Sequence, residues 1–137
     1  MGYERTKIQR DAISNELNEL ARQVVDAAFH VHKTLGPGLL ESVYETCLCH
    51  ELTKRGIPFQ RQVALPVVYD GVEIEAGLRL DLWIDKKLVV ELKAVEVLNE
   101  VYQAQLMTYM KLTGTRLGLL VNFNVPAIRQ GIKRIIL

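Results

Sequence analysis

Two short stretches that alternate apolar and polar residues, parted by Asp85-Lys86-Lys87, limit this chain more than any other feature. In the first, Leu78, Leu80, Leu82 and Ile84 fall on one side, and Arg79, Asp81, Trp83 and Asp85 on the other. In the second, Leu88, Val90 and Leu92 alternate with Val89, Glu91 and Lys93. Alternation at period two is the pattern of half-buried strands. A hairpin closing symmetrically about Lys86 sets Asp81 directly opposite Glu91. Directly opposed residues have Cβ atoms roughly 4.5–5.5 Å apart, and like charges there destabilise a sheet. Two carboxylates at that spacing make sense if they share a divalent cation, with the Lys93 ammonium nearby, which is the constellation of metal-assisted phosphodiester chemistry. The register is an inference, because the turn lacks the glycine that a three-residue loop favours.

At 137 residues the chain is expected to form one domain, residues 1–137, with a core large enough to need no staples. No apolar run approaches the roughly 18 residues of a membrane span, so no membrane partner is expected. Residues 1–14 are polar and expected to be loosely ordered, and the first nineteen do not read as a signal peptide. Gly2 followed by Thr6 formally fits a myristoylation pattern, on few defined letters. The net charge of +1 neither favours nor excludes nucleic acid. Cys47 and Cys49 lack zinc-site spacing, and as free thiols they suit a reducing cytoplasm.

Periodicity and breakers give the remaining elements. A helix is expected from Asn15 to Leu35, with Leu17, Leu20, Val24, Ala28, Val31 and Leu35 on one stripe, ended by Gly36-Pro37-Gly38. A second helix runs from Leu39 to Lys54. Strands follow at Gln60–Tyr69, Val72–Ile84 and Leu88–Ala94, with Asp70-Gly71 as a two-residue hairpin turn and Pro66 marking an edge strand. A third helix spans Leu98–Thr113, then a buried strand Leu117–Val121, then a short closing element over Ile128–Leu137. The order α-α-β-β-β-α-β makes an α/β sandwich around a mixed sheet.

Two polar residues fall on apolar stripes. With Leu40 at zero and ~100° per residue, Leu40, Val43, Tyr44, Cys47 and Leu48 face inward and Glu41 lies among them. A buried carboxylate needs a cation, a donor or a proton, whereas a first-turn acid can also stay wet and answer the helix dipole. On the third helix, Gln105 sits at the centre of a face made by Leu98, Val101, Thr108, Tyr109 and Leu112. It either makes a structural hydrogen bond or positions a water or phosphate. His30 and His32 read as surface or boundary residues. Trp83 and Val89, beside Asp81 and Glu91, indicate that the polar face lies in a cleft.

These residues meet a known pattern. Gly38-Leu39-Leu40-Glu41-Ser42-Val43-Tyr44, Leu80-Asp81-Leu82, Val90-Glu91-Leu92-Lys93-Ala94, Ala104-Gln105-Leu106 with Tyr109, Lys111-Leu112-Thr113-Gly114 and Gly118-Leu119-Leu120-Val121-Asn122-Phe123 follow in order. Together they resemble the GxxExxY family of the PD-(D/E)XK nuclease superfamily, over nearly the whole chain from about Leu20. The resemblance implies a restriction-endonuclease-like fold, a mixed sheet flanked by helices. It implies that Asp81, Glu91 and the Leu92 carbonyl hold Mg²⁺, with Mn²⁺ able to substitute. Lys93 would be the catalytic lysine, Glu41 the helical acid that completes the site directly or through a water, and Gln105 its polar support. The usual proline before the first acid is Leu80 here.

A metal-dependent nuclease acting on DNA or RNA is therefore the leading expectation. The rivals are a non-catalytic module gripping nucleic acid through Arg61, Arg79, Lys86 and Lys87, and a protein-interaction component. One small domain offers one site, so concerted cutting of both strands of a duplex would call for a homodimer. Without metal, the Lys93 ammonium is expected to be held by the two carboxylates.

Overall fold

The computed structural model describes residues 12–137. The expectations for Gly2 and for most of residues 1–14 lie outside the described residues. Helix α1 spans Asn15–Leu35, and Ser14 caps it, its Oγ accepting from the Leu17 amide at 3.1 Å. Helix α2 follows at Glu41–Lys54, then strands β1 (Phe59–Tyr69), β2 (Val72–Ile84) and β3 (Leu88–Lys93). Helix α3 (Glu100–Thr113) starts on Asn99, whose side chain accepts from the Val101 amide, and stops at Gly114 in the left-handed region. Strand β4 (Leu117–Asn122), a 3-10 turn (Ile128–Gly131) and β5 (Ile132–Ile136) complete the chain. The closing segment thus contains a strand, and the elements make an α/β fold consistent with the restriction-endonuclease-like architecture.

The strands form one sheet in the order β1-β2-β3-β4-β5, with β1 at an edge as Pro66 required. Only β3 and β4 are parallel, joined through α3; the other pairs are antiparallel. Two apolar layers sandwich the sheet. Leu82, Ile84, Val90, Leu92, Leu119 and Val121 pack under α1 and α2. Val89, Leu120 and Trp83 pack with Leu106, Tyr109 and Met110 of α3.

The simple alternation expected of β2 breaks once. Leu82 and Ile84 face α1 and α2, but Leu80 and Leu78 pack on the α3 side. The same exchange occurs in β1, where Phe59 belongs to one layer and Val63 and Leu65 to the other. Between them stands Gln62 with φ 50°, a left-handed backbone inside a strand. A non-glycine residue there costs roughly 1–2 kcal/mol, so surrounding contacts must hold it. The hairpin swaps its inward face at Gln62 and Asp81.

The helix stripes also need correction. On α2 the buried residues are Tyr44, Glu45, Leu48, Cys49 and Leu52, while Leu40 is 74% and Val43 38% exposed. Leu40 only caps the helix, so anchoring the projection on it rotated the stripe. On α3, Leu106, Tyr109 and Met110 are buried, whereas Val101, Thr108 and Leu112 are exposed. His32 is buried rather than superficial, its Nε2 2.8 Å from the Val125 carbonyl oxygen.

At the end of β4 the Asn122 side chain straps down the segment after β3. Its Nδ2 donates to the Val95 carbonyl at 2.9 Å, and its Oδ1 accepts from the amides of Val95 and Asn124. Gly131 lies buried against the Asn122 backbone, and a Cβ at Gly131 would run into that carbonyl oxygen. Backbone cannot move aside as a flexible side chain can. Gly131→Ala is expected to lower the free energy of unfolding by about 1–3 kcal/mol. Urea denaturation reads this directly, and an unchanged midpoint would show that the contact relaxes freely.

Candidate active site

The β2–β3 ladder pairs Ile84 with Leu88, Trp83 with Val89, and Leu82 with Val90. The next step of that register is Asp81 against Glu91, as the hairpin symmetry about Lys86 requires. No glycine is needed at the turn, because Asp85 and Lys86 themselves take φ 50° and 53°, and the Lys87 amide donates to Ile84. At Asp81 the two side chains bond to the facing backbones. The Asp81 amide donates to Glu91 Oε2 at 2.7 Å, and the Leu92 amide donates to Asp81 Oδ2 at 2.8 Å. Each carboxylate thus occupies a backbone donor of the opposite strand.

This arrangement stores electrostatic stress. Glu91 is only 3% exposed. Burial first, and the Asp81 charge second, push its carboxyl up to about 9, while the Asp81 amide and Lys93 pull the other way. Asp81 is also raised, chiefly by burial and further by Glu45, against the Leu92 amide and Lys93. For both carboxyls burial is the first cause, and it favours the protonated form.

Helix α2 contributes an acid that the sequence reading missed. Glu45, buried at 9% exposure, accepts from Arg61 at 2.9 Å and from the Gln62 amide at 2.6 Å. Strand alternation would send Arg61 and Gln62 to opposite faces; the left-handed backbone of Gln62 lets both meet Glu45. The same Gln62 nitrogen lies 3.3 Å from Asp81 Oδ1, linking Glu45 to the pair. Glu41, one turn earlier, is exposed, so it stays wet in the first turn, the second of its two readings, and does not lie on the apolar face. The spacing Glu45, Leu48, Cys49, Leu52 would have revealed the buried acid had the helix been anchored on its middle.

The α3 side supplies the rest. Lys93 Nζ lies 4.7 Å from the centroid of the Tyr102 ring, a cation–π contact. Among the described residues neither carboxylate forms an ion pair with it, contrary to the expected clasp. Gln105 is half-buried and donates to the Tyr109 hydroxyl at 3.1 Å. Burial first and the Glu91 charge second push that hydroxyl above its usual range. The Leu92 carbonyl belongs to the residue whose amide binds Asp81.

Among the described residues no three His, Cys, Asp or Glu side chains converge as a ready metal cage. Asp81 and Glu91 nevertheless fit a hard divalent ion that keeps most of its waters. They offer oxygen donors, and the charge they lack is positive. Of the basic residues considered for gripping nucleic acid, Arg61 is tied to Glu45, Arg79 to the Gln62 carbonyl and Lys87 to Asp85, while Lys86 is exposed at the turn.

The raised Glu91 carboxyl fixes a pH dependence. Its folded value exceeds the ordinary 4.5, so the stability it contributes is complete below about 4.5 and is lost as pH rises through about 9. In chelator, Glu91→Gln should melt higher than wild type at the alkaline end of that window and nearly equal to it at the acidic end. Parallel melting curves across the window would mean that Glu91 ionises freely.

Among the described residues no helix is long and apolar enough to cross a membrane. No curated protein and no solved structure matches the chain. The family model of the PD-(D/E)XK nuclease superfamily matches residues 18–135. That span holds both carboxylates, Glu45, Lys93 and the helices that position them, and the chain belongs to the PD-(D/E)XK nuclease superfamily.

Proposed function

We propose that the chain is a divalent-metal-dependent nuclease of the GxxExxY branch, hydrolysing phosphodiester bonds of DNA or RNA. The observation that carries this reading is the reciprocal bonding of Asp81 and Glu91 across adjacent strands. A buried and a half-buried acid are kept together there although burial and the Asp81 charge raise the proton affinity of Glu91. Nucleases of this superfamily generally use divalent metals. Asp81, Glu91 and the Leu92 carbonyl would hold Mg²⁺, or Mn²⁺ in its place. When bound, the ion supplies Lewis acidity toward the scissile phosphate and an acidified water.

The chain's own groups do the remaining work. Asp81 and Glu91 would hold the ion as carboxylates, Glu91 giving its proton to solvent. Lys93, on a flexible stem resting on Tyr102, brings a positive charge and three N–H donors toward charge developing on the phosphate. Glu45, rather than the exposed Glu41, serves as the helical acid, coupled to Asp81 through Gln62. Gln105 supports Tyr109 beside Glu91.

The test is cleavage of single- and double-stranded DNA and RNA with Mg²⁺ or Mn²⁺ against a chelator control. Asp81→Asn and Glu91→Gln should lose both cleavage and the calorimetric metal signal. Lys93→Ala and Lys93→Arg should keep metal binding yet lose roughly 10²-fold or more in turnover, the size expected when a donor aimed at developing charge is removed or, with the planar arginine fork, misplaced. Cleavage that survives the chelator or Asp81→Asn would overturn the reading, as would wild-type protein inert toward every substrate.

A further inference from the structure

Charge is unevenly spread along this chain. From Val101 to Leu137 it carries Lys111, Arg116, Arg129, Lys133 and Arg134 and no aspartate or glutamate, so all 16 acidic residues lie before that point. The loop from Phe123 to Gly131, inside this stretch, therefore brings no carboxylate to whatever it encloses. It forms one wall of a groove of about 430 Å³, and α1 forms the other. Phe29, Lys33, Pro126 and Arg129 line the groove, with the buried His32 and Ile128 beneath them. Neither wall contributes an acid. The His32 ring ties the two walls together, its Nε2 standing 2.8 Å from the Val125 carbonyl oxygen, so the groove is formed before anything enters it.

Two cations and an aromatic ring stand at that groove without partners. Among the described residues Lys33 and Arg129 form no ion pair and no side-chain hydrogen bond. Arg61, Arg79 and Lys87, by contrast, are held by a neighbouring carboxylate or carbonyl. Phe29 is 52% exposed beside an apolar floor that could have covered it. Lys33 has a local reason for its place, since it sits in the last turn of α1 and answers the helix dipole. The exposed ring has none. Cations beside an open aromatic face are the means by which proteins hold single-stranded nucleic acid, the cations neutralising phosphates while a base stacks on the ring. A duplex keeps its bases stacked inside and offers none to Phe29.

We propose that this groove is a binding subsite for single-stranded nucleic acid, with a base against Phe29 and the flanking phosphates on Lys33 and Arg129. It lies at the end of the sheet where β3 delivers Lys93. The Phe123 amide donates to the Lys93 carbonyl at 2.9 Å. Pro126 follows three residues later, a span of at most roughly 11 Å. A strand seated in the groove can therefore reach the end of β3 within a few nucleotides. Its use as a substrate subsite rests on the nuclease reading, whereas the affinity of the groove for the strand does not.

Fluorescence anisotropy of a labelled oligothymidylate, with the full chain in chelator, reads the groove without any cleavage. Lys33→Gln with Arg129→Gln should weaken binding about tenfold or more and lessen the slope of log affinity against log salt by about 1.4, which is two phosphate contacts at roughly 0.7 each. Phe29→Ala should weaken binding about tenfold with the slope unchanged, since stacking releases no counterion. Lys54→Gln with Lys111→Gln removes the same charge from the last turns of α2 and α3. That control should stay within about twofold of wild type, because salt screens charges so far from the groove. All five positions are exposed, and far-ultraviolet circular dichroism should be unchanged. A wild type that does not bind, groove variants that bind as wild type does, an equal loss in the control, or a duplex competitor as effective as the single strand would overturn the proposal. So would a wild-type dimer that the groove changes dissociate on sedimentation, because the groove would then belong to a second copy. If wild type binds through the groove yet cleaves nothing with Mg²⁺ or Mn²⁺, the nuclease reading fails and the subsite stands.

Discussion

A strand amide inside a protein must find an acceptor, and at one step of the β2–β3 hairpin carboxylates take amides of the facing strand. Everything at the site follows from that substitution. The Asp81 and Leu92 amides hold two acids within reach of each other although the acids repel. The hydrogen bonds offset part of the desolvation cost, and the raised proton affinity of Glu91 offsets more. What remains is a pair of acids whose charged forms the fold disfavours.

The face exchange at Gln62 and Asp81 explains how so thin a hairpin collects groups from both sides of the sheet. A regular strand would commit its polar face to one helical layer. Here Glu45 arrives from α2 while Tyr102 and Tyr109 arrive from α3, and Asp81 is the residue at which the two layers meet. The backbone strain at Gln62 is therefore placed where it joins the layers. Arg61 and Glu45 hold that strain in position by bonding on one side of it.

Much of this was legible in the chain itself. Residues 15–35 and 72–84 were bounded as observed, because capping residues and the Asp70-Gly71 turn are local signals. The opposition of Asp81 and Glu91 was legible because hairpin register needs only symmetry about a turn. Glu45 was not, since a helical projection is only as good as its anchor, and Leu40 is a cap rather than a core residue. Gln62 was hidden by the register shift between Leu65 and Val67, which moves its partner by two positions. Pro66 hinted at that irregularity without giving its size. The rest of Lys93 upon Tyr102 depends on the path of the segment between β3 and α3, which no local pattern encodes.

The Asn122 strap has a consequence for the order in which the protein can become itself. The segment that leaves Lys93 is tied down by an amide from β4, and the Lys93 carbonyl accepts from Phe123, just beyond that strand. Helix α2, both acidic strands and the lysine are all synthesised before β4. A chain emerging from its N-terminus can close the Asp81–Glu91 hairpin early but lacks the strand that ties down the segment leaving Lys93. Contacts of such sequence separation form late, after loop closure has been overcome. Partial translation products would therefore carry the paired acids before the path that leads away from Lys93 is fixed.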